Sequence, residues 1–228
     1  PPPPPPMPRT ALVGILRQVL RRNRVREGMV YLQVTRGVAK RDHVFPAPGV
    51  RPTLVVTAKS LDPAVNAAKY ASGVKAVTVA DNRWGRVDIK TVGLLPNVLA
   101  RQQAKDVGAQ EAIFVDAEGH VTEGGATNLW IVDGAGTLVT RPADHAILNG
   151  ITRTTLMDVA EKLGLPVKER RFSVAEMLEA REVFVTGATT ICLPVVSIDG
   201  RTIANGHPGM TAQKIREAFF AVAEKTAI

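Results

Sequence analysis

Lys90 stands apart from the other lysines of the sequence, with Val87 and Ile89 before it and Val92, Leu94 and Leu95 after it. Apolar neighbours disfavour the ammonium, lower its pKa and free a nucleophilic amine, which is what a Schiff-base lysine requires. The same surroundings also suit an amphipathic lysine whose stem packs while its head reaches water. Arg41 and His43 form a second pair with chemistry in reach. Positions two apart in an extended segment point the same way, so guanidinium and imidazole either clamp a carboxylate together or decorate a polar loop. Glu123, ahead of Gly124 and Gly125, puts a carboxylate at a strand end; the glycines permit close approach to a ligand or a plain turn. Gly150-Ile151-Thr152 opens a helix. The free amides at a helix start attract anions, and Thr152 could also act as a simple cap.

The elements that must hold these residues follow from periodicity. Leu12, Ile15, Leu16, Val19 and Leu20 repeat at helical spacing and predict a helix from Arg9 to about Arg26, with Gly28 as its stop. Strands are expected over Met29–Thr35, Pro52–Ala58 and Gly73–Ala80, with a weakly patterned connector over Lys59–Ser72. Asp81-Asn82-Arg83 reads as a turn and the lysine segment as a strand; Trp84 either lines a site or packs in a core. Pro96 suits the first turn of a helix that ends at Gly108. Short strands closed by glycine turns follow at Glu111–Asp116, Val121–Glu123, Asn128–Val132 and Leu138–Thr140, which fits a barrel-like β-rich domain. The remaining expectations are a helix from Gly150 to about Leu163, a strand at Val167–Arg171 and a short helix capped by Ser173. A strand at Val183–Thr186, a turn at Ile198–Arg201 and a final helix over Thr211–Thr226 close the chain.

Taken in order, Val34-Thr35-Arg36-Gly37, Asp88-Ile89-Lys90, Gly93-Leu94-Leu95-Pro96-Asn97, Thr122-Glu123-Gly124-Gly125 with Asn128, Ile147-Leu148-Asn149-Gly150-Ile151-Thr152-Arg153 and Thr186-Gly187-Ala188-Thr189 resemble the fold-type IV pyridoxal-phosphate enzymes. That group holds D-amino-acid transaminases, branched-chain transaminases and aminodeoxychorismate lyases, and the likeness is greatest to the D-amino-acid transaminases. It implies an α/β (α+β) fold, with a small α/β domain and a larger β-rich pseudo-barrel domain with helices. It also implies pyridoxal 5′-phosphate on Lys90, with Glu123 at the pyridine nitrogen and Leu148 against the ring. Ile151, Thr152, Ala188 and Thr189 would hold the phosphate. Arg41 and His43 would take the substrate carboxylate across a homodimer interface, in a transamination from a D-amino acid such as D-alanine to a 2-oxo acid. Many relatives carry serines at 125–127 where this chain has Gly-Ala-Thr, so hydrogen bonding around the ring differs here.

Composition bounds the alternatives. The 228 residues suit one large domain or two modest ones, and 45% apolar residues can supply a core. A net charge of +8 raises nucleic acid as a partner, the arginines at 17, 21, 22, 24 and 26 being its obvious carrier. With aromatics at 4%, there are few side chains for base stacking, and a solvated basic helix accounts for the charge better. One cysteine, Cys192, excludes an internal disulfide and fits a reducing cytoplasm; no apolar run approaches a membrane span, and no metal-ligand spacing occurs. Members of the resembled group carry further strands and a phosphate-binding arginine ahead of the first helix. The expectation is therefore that residues 1–65 are the remnant of the small domain, its leading part lost, and that 66–228 form the cofactor-binding domain.

Overall fold

The computed structural model describes residues 6–222. The chain divides into two compact units, the first running to Ala64 and the second from Val65.

In the first unit, helix α1 (Arg9–Arg22) precedes an antiparallel hairpin of β1 (Gly28–Thr35) and β2 (Thr53–Ser60), registered Gly28 to Ser60 through Thr35 to Thr53. The helix stops four residues before the expected Arg26. Asn23 turns its side-chain amide back onto the Val19 carbonyl at 2.9 Å, and Arg24 adopts a left-handed φ of 54°. Gly28 is thus not a helix stop. It is the first residue of β1, where a Cβ would run into the Lys59 carbonyl of the paired strand. None of the described residues of this unit is fully buried.

The boundary falls in the first turn of α2 (Pro63–Ser72), over a stretch that reads from sequence as a connector. Asp62 accepts the Ala64 amide at 2.9 Å and Pro63 starts the helix without an amide to satisfy, so the cap and the proline are a legible start signal. Next come β3 (Val74–Ala80), α3 (Leu95–Asp106), β4 (Glu111–Val115), β5 (Val121–Gly124), β6 (Asn128–Val132) and β7 (Leu138–Thr140). Then follow α4 (Ile151–Lys162), β8 (Val167–Glu169), α5 (Val174–Leu178), β9 (Glu182–Thr186), β10 (Leu193–Ile198), β11 (Arg201–Thr202) and α6 (Met210–Val222); the expected end of the last helix at Thr226 lies outside the described residues. Ser173 caps α5 in a full capping box with Glu176, as its residue type predicts.

The strands form one mixed, nine-stranded sheet in the order β5-β4-β3-β10-β9-β6-β7-β8, with β11 beside β10, curled as a half-barrel. Both faces of its central strands are covered, so they read as continuous apolar runs. Leu129, Ile131, Val183 and Val185 point to one cluster together with Phe172 and Met177. Their alternates Trp130 and Phe184 stack at 6.0 Å between centroids and meet Leu156 and Val159 of α4 and Ile215 of α6. Small residues Ala100 and Ala104 let α3 lie close on Ala112 and Phe114. Among the described residues, no helix is long and apolar enough to cross a membrane.

Candidate active site

Pairing of β6 with β9 in the register Asn128 to Thr186 brings the start of one strand and the end of the other to the same rim of the sheet. Gly124 ends β5 at that rim, and the Gly187–Thr190 turn leaves it; a Cβ on Gly187 would meet Thr127 and Ala126 at 3.3 and 3.5 Å. Gly150, immediately before α4, lies so close to Asn128 that a Cβ would strike its amide oxygen. One rim therefore gathers Glu123, Asn128, Leu148, the start of α4 and the turn bearing Ala188 and Thr189.

Glu123 is its most constrained charge. Only 7% exposed, it accepts from Asn128 Nδ2 at 3.1 Å and from the Leu148 amide at 3.0 Å, both on Oε2, while its Oε1 meets the Arg83 guanidinium. A carboxylate offers about four acceptor positions; three are filled, and one on Oε1 is left for a further donor. Burial pushes the Glu123 carboxyl above its ordinary value, against the pull of Arg83 and the Leu148 amide. A more basic carboxylate is a better proton acceptor for a ring N–H.

Arg83, read from sequence as part of a turn, is the group the sequence reading missed. It is buried, lies over the Phe114 ring at 4.3 Å and grips Asp81 with Nε at 2.8 Å and Nη2 at 2.7 Å. Nη2 also reaches the Ala146 carbonyl at 3.2 Å, and the Thr122 hydroxyl donates to Asp81 at 2.7 Å. Burial raises the Asp81 carboxyl, but the Arg83 hydrogen bonds outweigh that and hold it below its ordinary value. Burial likewise disfavours the Arg83 cation, and the two carboxylates more than restore it. An arginine buried in this way stays charged and pulls the Glu123 carboxyl back toward its ionised form, against the larger effect of burial.

The start of α4 has no side-chain cap, and its first intrahelical bond is from Thr154 to the Gly150 carbonyl at 3.0 Å. The amides of Ile151, Thr152 and Arg153 precede that bond and point out of the helix with the positive end of its dipole. Thr152 is buried beside them, Ile151 is 76% exposed, and Leu148 is half-buried. Ala188 and Thr189 are exposed on a turn closed by Ile191 N to Gly187 O at 2.7 Å.

Lys90 departs from expectation. Its segment is a loop between β3 and α3, not a strand, and Lys90 is exposed. Val92 and Leu95 are 76% and 67% exposed, so the apolar neighbours do not close over the amine within a single chain. Proximity in sequence did not become burial because no strand or helix aligns those side chains onto one face. The loop is tied at both ends: Val87 N donates to His145 O at 3.1 Å, and Asn97 Nδ2 to Gly125 O at 2.9 Å. Beside Lys90, the Arg86 hydrogen bond holds the Asp88 carboxyl down at about 2, with His145 Nδ1 3.4 Å away. Trp84 is half-exposed and is no core residue. Arg41 and His43 belong to the first unit, both exposed in the segment between β1 and β2. Cys192 is buried, which pushes its thiol up and leaves it inert. Among the described residues, no group of metal-ligating side chains occurs.

The rim fits the cofactor implied by the resemblance. It offers an acceptor for a ring nitrogen, amides for a phosphate, and glycines at 150 and 187 where backbone must approach closely.

The family model for amino-transferase class IV matches residues 3–198. The D-alanine aminotransferase of Staphylococcus haemolyticus is 40% identical over 209 residues, covering 91% of this chain and 72% of the relative. That of Listeria monocytogenes is 40% identical over 210 residues, covering 90% and 70%. Among solved structures, the branched-chain amino acid aminotransferase of Escherichia coli superposes with a TM-score of 0.80 at 27% identity, covering 96% of this chain and 73% of the other. The branched-chain aminotransferase of the thermophilic archaeon Thermoproteus uzoniensis, solved with norvaline, gives 0.74 at 30% identity, covering 92% and 70%.

Proposed function

The chain belongs to the class IV aminotransferases, a pyridoxal 5′-phosphate-dependent family, and on that premise we propose that it transfers the amino group of a D-amino acid such as D-alanine to a 2-oxo acid. The observation that carries the reading is Glu123, a buried carboxylate locked on three sides with one acceptor position left.

Bound pyridoxal phosphate supplies an aldehyde that captures the substrate amine and a ring that takes up the electron pair left at Cα. Lys90 would carry the cofactor covalently and, once displaced by substrate, take the Cα proton as a neutral amine and return it. Glu123 would hold the proton on the ring nitrogen, paired on its other side with Arg83. Ile151 and Thr152 at the start of α4, with Ala188 and Thr189 opposite, would hold the phosphate. Leu148 would pack on the ring face.

Arg41 and His43 would bind the substrate carboxylate from a second copy of the chain. The exposed apolar residues Trp84, Val92, Leu95 and Ile151 support such a homodimer, which would also desolvate Lys90. The relatives named for D-alanine, at 40% identity, favour the D-substrate. The solved structures named for branched-chain amino acids favour a second reading, an L-amino-acid transaminase on the same site.

Visible absorption of the cofactor-loaded protein separates the two. Bleaching of the yellow band by D-alanine and not by L-leucine is the expected result. Bleaching by L-leucine alone selects the second reading, and a chain that takes up no cofactor contradicts both.

A further inference from the structure

Among the buried charges not yet given a role, Glu111 stands behind the site. Glu111 begins β4 and is 3% exposed, yet it carries a dense set of partners. Its Oε1 accepts from its neighbour Ala112 N at 3.0 Å, from Gly125 N at 3.1 Å and from Arg101 Nη1 at 3.0 Å; Oε2 accepts from the Thr127 hydroxyl at 3.1 Å. Two of these donors belong to the turn that follows Glu123. Of the other two, Ala112 is the next residue of β4 and Arg101 lies on α3, the helix that follows Lys90.

The same helix grips the turn a second time. Asn97, one helical turn before Arg101, donates its amide to the Gly125 carbonyl at 2.9 Å. Gly125 is thus held on both its polar atoms, its N–H shared between Glu111 and the Ala112 carbonyl at 2.9 Å, its carbonyl by Asn97. The Arg101 stem packs so closely on it that a Cβ would lie 2.6 Å from Arg101 Cδ, so no larger residue fits without displacing the Arg101 side chain from its grip. A lone buried carboxylate is costly. One that accepts four hydrogen bonds from three separate segments fixes those segments relative to one another.

We propose that Glu111 is a positioning residue of the transamination. Together with Asn97 and Arg101, it locks the Gly124–Thr127 turn to α3 and so sets Glu123, two residues before Gly125, in register with Lys90, seven residues before Asn97. The role rests on the reading of Lys90 and Glu123 given above. The two groups lie on different segments of the chain, and a proton carrier and a ring-nitrogen partner work together only when their spacing is held to within about half an ångström.

The test uses Glu111→Gln, which keeps size and one acceptor oxygen but loses the charge, and Asn97→Ala, which removes the other grip. Hydrogen exchange of the cofactor-free chain should speed up by roughly tenfold or more at the amides of 124–128, with β9 unchanged. In the loaded protein, kcat should fall by about tenfold with the amino-acid KM within about twofold, the pattern of a misplaced reacting group. The pH midpoint of the visible band should also move. The double variant should cost less than the product of the two single effects, because both loosen one turn. A merely structural Glu111 would lower the melting temperature and leave kcat and the band's pH midpoint where they were, which overturns the proposal. A wild-type chain that binds no cofactor overturns the reading of the site and this role with it. Normal wild-type loading with unaltered variants overturns this role alone.

Discussion

Arg83 shows how much of a site can rest on one side chain that no motif marks. Its guanidinium joins Asp81 and Glu123, and the removal of one partner from a buried ionic group leaves the others uncompensated. Arg83→Met should therefore destabilise the cofactor-free chain by about 3–5 kcal/mol, measured by urea unfolding. The two carboxylates then respond to pH with opposite signs. Asp81, held below 3.8, lends stability that is present above its unfolded value and is lost as pH falls through its folded one. Glu123, held above 4.5, costs stability as it ionises on the way up through its folded value. Asp81→Asn should flatten the acid limb of stability below pH ~4, by up to about 1.4 kcal/mol per pH unit for one proton. An unaltered limb would remove Asp81 from the account. Sequence points to Glu123 only through the family resemblance, since its strand-end position and its glycines alone suit an ordinary surface glutamate better. It hid Arg83, whose partner lies 40 residues away and whose neighbours Asp81 and Asn82 spell an ordinary turn. It also hid Glu111, indistinguishable from any polar residue at a strand start.

At the scale of elements, the start of α4 is where fold and chemistry coincide. Gly150 has ordinary backbone angles, φ −66° and ψ 136°, so its need for glycine is spatial and not conformational. A methyl there displaces the Asn128 amide that steadies Glu123. Gly150→Ala should weaken cofactor binding by roughly tenfold, the loss of about one charge-assisted hydrogen bond, read by titrating the apo-protein with pyridoxal phosphate. Unchanged affinity would show that Asn128 does not set the site. The helix itself was legible, since its pattern and its flanking glycines sit at the right places. So were the central strands, whose apolar runs serve both covered faces. Local signals mislead where punctuation, not periodicity, marks an element. Helix α2 is alanine-rich, with only Val65 and Tyr70 as large apolar side chains, yet Asp62-Pro63 marks its start. Gly28 looked like a helix stop because glycine commonly is one; its true reason, the approach of Lys59 across the hairpin, is a long-range contact that a linear sequence does not display. The Lys90 segment failed for a related reason. Alternating apolar residues suggest a strand, but no neighbouring strand is there to pair with it.

For the molecule as a whole, the apolar side chains left exposed around the lysine loop and the start of α4 decide what must cover them. Val92, Leu95 and Ile151 belong to the proposed meeting surface of two chains. Sedimentation should report a dimer at micromolar concentration, and Leu95→Glu should shift it toward monomer by roughly 1–3 kcal/mol of lost association, since a charge replaces buried apolar area. A monomeric wild type that still transaminates would contradict the second copy's part in the site. The net charge of +8 adds only a salt-dependent attraction for polyanions, without stacking aromatics to make it specific. Everything in the account converges on one amine, and the most direct measurement addresses it. The loaded protein is reduced with borohydride, digested, and mapped by mass spectrometry. The expected result is a phosphopyridoxyl group on the peptide containing Lys90 and on no other lysine, abolished in Lys90→Ala. A label elsewhere, or none on a protein that has taken up the cofactor, would contradict it.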